Sequence, residues 1–198
     1  MNKKAEKTQS TKERIIEAAD DLFYKKGYEF TSFADIADEV KISRGNFYHH
    51  FKTKDVILCA VISHRMSRTK KMLKEWEEES KDAKDRIHCF IHILIANYAK
   101  IKLYGCPVGT LTTELAKLDH TSKEDANQIF TLFRKWLCKQ FKELGFKKEA
   151  DSLAMHLLAL SQGVATMATA FPSEVYVKQE VNHMSEWLSQ QIENQLEK

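Results

Sequence analysis

Apolar residues recur along this chain at intervals of three and four, the spacing that gathers them on one face of an α-helix. Ile15, Ala18, Ala19, Leu22 and Phe23 form the first stripe, opened by a capping box at Ser10-Thr11-Lys12-Glu13 and stopped at Gly27. Thr31 or Ser32 caps a second helix of barely two turns, whose inner side is Phe33, Ile36, Ala37 and Val40. Ser43 caps a third short helix over 44–50, and Thr53, with Asp55 in the first turn, starts a long fourth. Beyond these the helices lengthen. Ile87, Phe90, Ile91, Leu94, Ile95, Tyr98 and Ile101 make one wide stripe ending near Gly105, and Pro107 opens the next helix. Ser122 precedes a stripe of Ala126, Ile129, Phe130, Phe133, Leu137, Phe141 and Leu144, closed by Gly145, and a further helix runs from about 148 to 171. Pro172-Ser173 begins the last, which carries Val177, Val181, Met184, Leu188 and Ile192. The pattern predicts an all-α fold of about nine helices with no strand.

Composition supports that reading, because 6 Gly and 2 Pro are too few for the frequent turns of an all-β chain. The 198 residues suffice for one large domain or for a small one docked on a larger one. No apolar run approaches the roughly 20 residues that span a bilayer, and the N-terminal MNKKAEKTQSTKE has no apolar core of a secretory signal. A cytoplasmic protein without a membrane partner is the expectation. The cysteines at 59, 89, 106 and 138 lie far apart with no C-x-x-C, which predicts reduced thiols in place of a disulfide framework or a zinc ribbon.

Charge changes the picture. The net charge is only +3, yet residues 41–74 carry nine Lys/Arg against one acid, Asp55. A basic stretch in a nearly neutral chain is an electrostatic footprint for a polyanion. It coincides with the segment 31–54, read as two short helices joined by a tight turn and followed by a capped third. Such a unit places the N-terminal end of its second helix in the major groove of double-stranded DNA while flanking groups hold phosphates. Arg44 suits a guanine edge or a phosphate, and Asn46 suits adenine or the backbone. Gly45 permits close approach, and Phe47 and Phe51 lock the helix from beneath. Tyr48 and His49 offer donors to phosphate oxygens, and Lys54 adds charge at the start of the long helix. Thr31, Ser32 and Ser43, at helix starts, complete the candidate DNA-binding residues.

The same segment resembles the TetR-family signature, in which a Thr/Ser-rich start leads to Ile-Ala, then Ser-x-Gly-x-x-Tyr-x-x-Phe and a Lys. Here those are Ile36-Ala37, Ser43, Gly45, Tyr48, Phe51 and Lys54, and with the first helix the match covers roughly residues 11–58. Lys41 stands where the family usually has a turn Gly, so either Lys41 is left-handed at a cost of about 1 kcal/mol or the turn differs. The resemblance implies a three-helix helix-turn-helix domain over 11–55, preceded by a flexible basic tail over 1–10. It also implies a larger ligand-sensing and dimerisation domain over 56–198, with the fourth helix as connector. It further implies a repressor that binds a pseudo-palindromic operator and is released by a small-molecule inducer, as a homodimer through its last two helices. The small residues Ala159, Ser161, Gly163, Ala165, Ala168 and Ala170 independently permit close helix approach there. A helical interaction protein that never touches DNA is the remaining alternative.

Candidate ligand-lining residues are Phe90, Tyr98, Cys106, Phe133, Trp136, Met155, His156, Gln162 and Met167, aromatic or polar groups on otherwise apolar helices. Packing alone accounts for many such residues. Pro107 at a first helical position makes Cys106 the N-cap, a place that stabilises a thiolate, so Cys106 is also a redox-sensing candidate. The stretch GCPVGTLTTELA resembles a TetR subgroup that includes NemR-like electrophile sensors and LmrA/YxaF-like repressors, which adds an electrophile to the candidate inducers. A compact cap with Cys106 as a small buried residue is the alternative. His88 and His92 share a helix face but lack a third ligand nearby, and no metal or other cofactor is expected. No nucleophile-base pair or phosphate-cradling loop appears at recognisable spacing, so the chain is not expected to be an enzyme.

Overall fold

The computed structural model describes residues 10–197; apart from Ser10, the expected tail over 1–10 lies outside them. Among the described residues there are ten α-helices and no strand. They are α1 (Thr11–Lys26), α2 (Phe33–Val40), α3 (Arg44–His50), α4 (Lys54–Glu79), α5 (Ala83–Ala96), α6 (Tyr98–Tyr104), α7 (Pro107–Lys117), α8 (Lys123–Glu143), α9 (Ala150–Ala170) and α10 (Glu174–Leu196). The tenth arises because the stripe expected as one helix up to Gly105 is broken. Asn97 leaves helical geometry at φ −103°, ψ 6°, and its amide donates back to the Ile93 carbonyl at 3.0 Å. The apolar spacing continues across the break, which is why periodicity alone missed it.

Short polar side chains set the helix starts. Ser10 and Glu13 form the capping box of α1, Ser32 and Asp35 that of α2, and Ser43 and Thr53 accept from the third backbone N–H of α3 and α4. Lys41 closes α2 in the left-handed region at φ 56°, ψ 50°, so the turn keeps its shape and bears the strain.

Two apolar clusters organise the chain. The first gathers Ile15, Phe23, Ile36, Phe47, Phe51, Leu58 and Val61 from α1 to α4, and it also takes in Leu111 and Leu115 of α7 and Ala126 of α8. The second joins the far end of α4 to α5, α6, α8, α9 and α10, through residues such as Leu73, Ile91, Phe133, Leu137, Leu157 and Val181. By length and composition α9 is apolar enough to cross a bilayer, contrary to the expectation that no segment is. One side of it, Ala154, Leu157, Leu158, Ser161, Val164, Ala165 and Ala168, is buried against the rest of the chain.

Candidate nucleic-acid interface and sensor residues

The α3 helix is pinned from below. Phe47 and Phe51 are 1% and 2% exposed, and Phe47 meets Phe33 of α2 edge to face, with ring centroids 5.2 Å apart. With those rings inside, the 3.6-residue period turns Arg44, Gly45, Asn46, Tyr48 and His49 outward, and all five are exposed. A Cβ built on Gly45 meets no atom within 4 Å, so nothing in this chain requires glycine there. A shallow cleft of about 240 Å³ lies between α2 and α3, lined by Ser32, Phe33, Ala34, Ala37, Arg44, Phe47 and Tyr48. Ser43 accepts from Asn46 N–H at 3.3 Å, which leaves its own hydroxyl hydrogen available.

Three expected contacts are placed differently. Thr31 is 1% exposed and its hydroxyl donates to the Gly27 carbonyl at 2.7 Å, so it braces the α1–α2 turn from inside. Ser32 is exposed, but its N–H and hydroxyl both donate to Asp35 in the capping box. That hydroxyl bond, with the backbone bond and Lys26 beside it, holds the Asp35 carboxyl well below the usual carboxylate range. Lys54 folds back: its ammonium donates to the carbonyls of Tyr28 at 3.0 Å and Glu29 at 3.2 Å and lies 4.3 Å from the centroid of the Tyr28 ring. Its charge still sits at the start of α4.

The nine candidate ligand-lining residues do not surround one cavity. Phe90 and Phe133 are core residues in mutual edge-to-face contact at 5.6 Å, and Trp136 packs on Trp76 at 5.7 Å. Met155 and Met167 point out of the chain from α9, the His156 ring packs on Trp187 of α10 at 4.9 Å, and Tyr98 lies beneath the Lys102 ammonium. Cys106 and Gln162 converge at the start of α7. The Cys106 sulfur caps α7, accepting from Gly109 N–H and from the Gln162 amide, each at 3.5 Å. The reason is rotational: a stripe shows which residues share a face but not which neighbour that face meets. A larger cleft, about 630 Å³, lies on the outer side of α8 among Arg134, Lys135, Cys138, Lys139 and Lys142. His92 Nδ1–H donates locally to the His88 carbonyl, 2.8 Å away, and burial holds His88 below the usual imidazole range.

Sequence reasoning missed the polar ties that bind α7 and the residue pair before it to α4, α1 and the turn after α1. Glu114 accepts from the N–H groups of Tyr28 and Glu29, both at 2.9 Å. The Tyr24 hydroxyl donates to the Gly105 carbonyl at 2.7 Å, and burial raises its pKa to about 12. Arg65 of α4, 8% exposed, donates to Asp20 of α1 and to the Pro107 carbonyl, both at 2.5 Å. One signal was available: Glu114 shares a face with Leu111 and Leu115, and an acid on an apolar face needs a partner.

Residues 15–61 match the model of the bacterial regulatory proteins of the tetR family, and residues 83–179 match the C-terminal domain of LmrA/YxaF-like transcriptional regulators. An uncharacterized HTH-type transcriptional regulator in the lacX 3' region of Lactococcus lactis subsp. lactis is 33% identical over 160 residues, spanning 78% of this chain and 81% of that protein. A TetR transcriptional regulator from Legionella pneumophila has a similar structure, with TM-score 0.81 and 27% identity over 91% of this chain and 98% of that one. The reduced form of Escherichia coli NemR is similar in fold, with TM-score 0.77 and 18% identity over 88% and 95% of the two chains.

Proposed function

Since the chain belongs to the TetR family of DNA-binding transcriptional regulators, we propose that it is a repressor that reads its operator with α3 and releases it when an inducer binds the helical half. The observation that carries this reading is the outward set Arg44, Gly45, Asn46, Tyr48 and His49 on a helix locked from beneath. In this reading Arg44 and Asn46 contact base edges, and Ser43, Tyr48 and His49 contact phosphates. Residues 11–55 act as the reading unit and 56–198 as the sensor. Two copies joined through α9 and α10 set their α3 helices at half-sites about 34–36 Å apart. What supports a dimer is the outer side of α9, where Ala159, Gly163 and Ala170 are exposed beside Met155, Met167 and Phe171. An inducer acts by favouring the placement of α7 and α4 in which that spacing no longer fits the operator.

The test is fluorescence anisotropy on DNA from the gene's own upstream region. Arg44→Ala and Asn46→Ala should each weaken specific binding by about 1–3 kcal/mol and relax base preference at one position. Tyr48→Phe should weaken binding to every sequence alike. If all three bind as the wild type does, α3 is not the reading helix.

A second reading makes Cys106 the trigger, favoured by its sulfur lying at the N-cap of α7 between two N–H donors. Alkylation there would wedge α7 from α9, because a Cβ on Gly109 would already stand 2.3 Å from the Gln162 amide oxygen. A thiol alkylator should then release DNA from the wild type and not from Cys106→Ser. Retention of DNA by both returns the trigger to a reversible ligand.

A further inference from the structure

The turn between α1 and α2 is held from three sides, and both Glu114 and His120 reach it from the sensor half. From α7, the Glu114 carboxylate accepts both turn N–H groups, Tyr28 and Glu29, at 2.9 Å. From α4, the Lys54 ammonium takes the two carbonyls of the same residues, at 3.0 and 3.2 Å. The Tyr28 side chain is fixed in turn: its hydroxyl donates to Asp55 at 2.5 Å and lies 3.2 Å from His120 Nε2. His120 Nδ1 accepts from Ser122 N–H at 3.0 Å, so the ring proton sits on Nε2 and donates to the Tyr28 oxygen. Gly27 completes the fit. Its φ of +91° suits glycine, and any Cβ would stand 2.9 Å from a Glu114 carboxylate oxygen.

We propose that Glu114 is a positioning residue for DNA reading: from α7 it holds the Tyr28-Glu29 turn and so fixes the angle at which α2 and α3 meet the duplex. This rests on the DNA-binding reading of α3. The turn is the covalent link from α1 to α2, and α2 carries α3 through the Phe33–Phe47 contact. Leu111 and Leu115, which flank Glu114 on α7, are buried in the cluster of the first helices, so α7 cannot move without disturbing that unit. At its other end α7 rests on α9 through Gly109 and Gln162. Within α7, Gly109 and Glu114 are only five helical residues, roughly 7.5 Å, apart, so the helix connects its α9 contact to the turn as a stiff lever. A charged carboxylate bridging two adjacent backbone N–H groups is directional as well as attractive, which suits a part that sets an angle.

The experiment compares the full-length wild type with Glu114→Ala and Glu114→Gln on a duplex selected from a random pool by the wild-type protein. Affinity is read by anisotropy, folding by thermal melting, and the turn by hydrogen exchange at the Tyr28 and Glu29 amides. Glu114→Ala should bind about tenfold more weakly while still folded, as expected for a coupling of ordinary size, and both amides should lose protection. Glu114→Gln, which keeps one acceptor oxygen, should fall between. A folded Glu114→Ala that binds within about twofold of the wild type, or keeps both amides protected, overturns the assignment. If Glu114→Ala does not fold, Glu114→Gln decides, and wild-type affinity in that variant overturns it. A wild type that enriches no duplex overturns the DNA reading and this inference with it, whereas equal binding by all three proteins overturns the role of Glu114 alone.

Discussion

Lys41 and Gly45 are four residues apart, and each is the opposite of what its backbone prefers. Lys41 holds a left-handed turn that glycine adopts freely, so Lys41→Gly should stabilise the fold by about 0.5–1 kcal/mol, read as a higher urea midpoint at unchanged slope. Gly45 sits in the first turn of α3, exposed, where alanine would be a better helix former and would meet nothing in the chain. Gly45→Ala should therefore also stabilise, by about 0.5–1 kcal/mol, because glycine loses more freedom on folding. Unlike the first, it should weaken operator binding, since the added methyl lies where α3 approaches the bases. Denaturation and anisotropy on the two variants separate these effects. Unchanged DNA affinity in Gly45→Ala would mean that this side of α3 does not meet the duplex.

Between elements, the decisive contacts are the few polar ones that cross from α7 and α4 to α1. Arg65 and Asp20 form an ion pair whose side chains are only 9% and 16% exposed, closed by the Pro107 carbonyl. Removing one partner of a buried pair leaves a charge without compensation, so Asp20→Ala should cost about 3 kcal/mol. Glu75→Ala, which removes a pair on α4 with side chains 79% and 49% exposed, should change stability by less than about 0.5 kcal/mol. Thermal melts of the two variants side by side check the contrast, and a small loss in Asp20→Ala would show the site to be wetter than its burial implies. These contacts also mark the limit of what the sequence makes legible. Ser10, Ser32, Ser43 and Thr53 could be placed because a cap and its target lie within three residues. Glu114 and Tyr28 are 86 positions apart, and nothing local signals their pairing. The ligand-lining candidates lie on different faces for a related reason. Phe90 and Met155 read alike as apolar residues on helices, but one is in the core and the other on the outer side of α9, and only the packed helix rotation separates them.

At the scale of the whole molecule, α9 is the element whose two sides ask for different partners. Ser161, Ala165 and Ala168 face inward and let α9 lie close to its neighbours, whereas Ala159, Gly163 and Ala170 face out. A Cβ on Gly163 meets no atom within 4 Å, so the chain itself gives no reason for a glycine at that point of a long helix. A glycine that weakens its own helix and leaves open space is accounted for if a second copy fills that space. The two-fold operator reading needs such a copy, and an isologous contact would set Gly163 near its own symmetry mate. Gly163→Trp should therefore leave the monomer folded, with an unchanged helical signal, and shift sedimentation toward the monomer. Binding to a single half-site should persist, while the steep salt dependence of the full site should fall, because half the phosphate contacts are lost with the second α3. A variant that remains dimeric and binds the full site unchanged would move the interface off this side of α9. The exposed Met155, Met167 and Phe171 would then need a different partner.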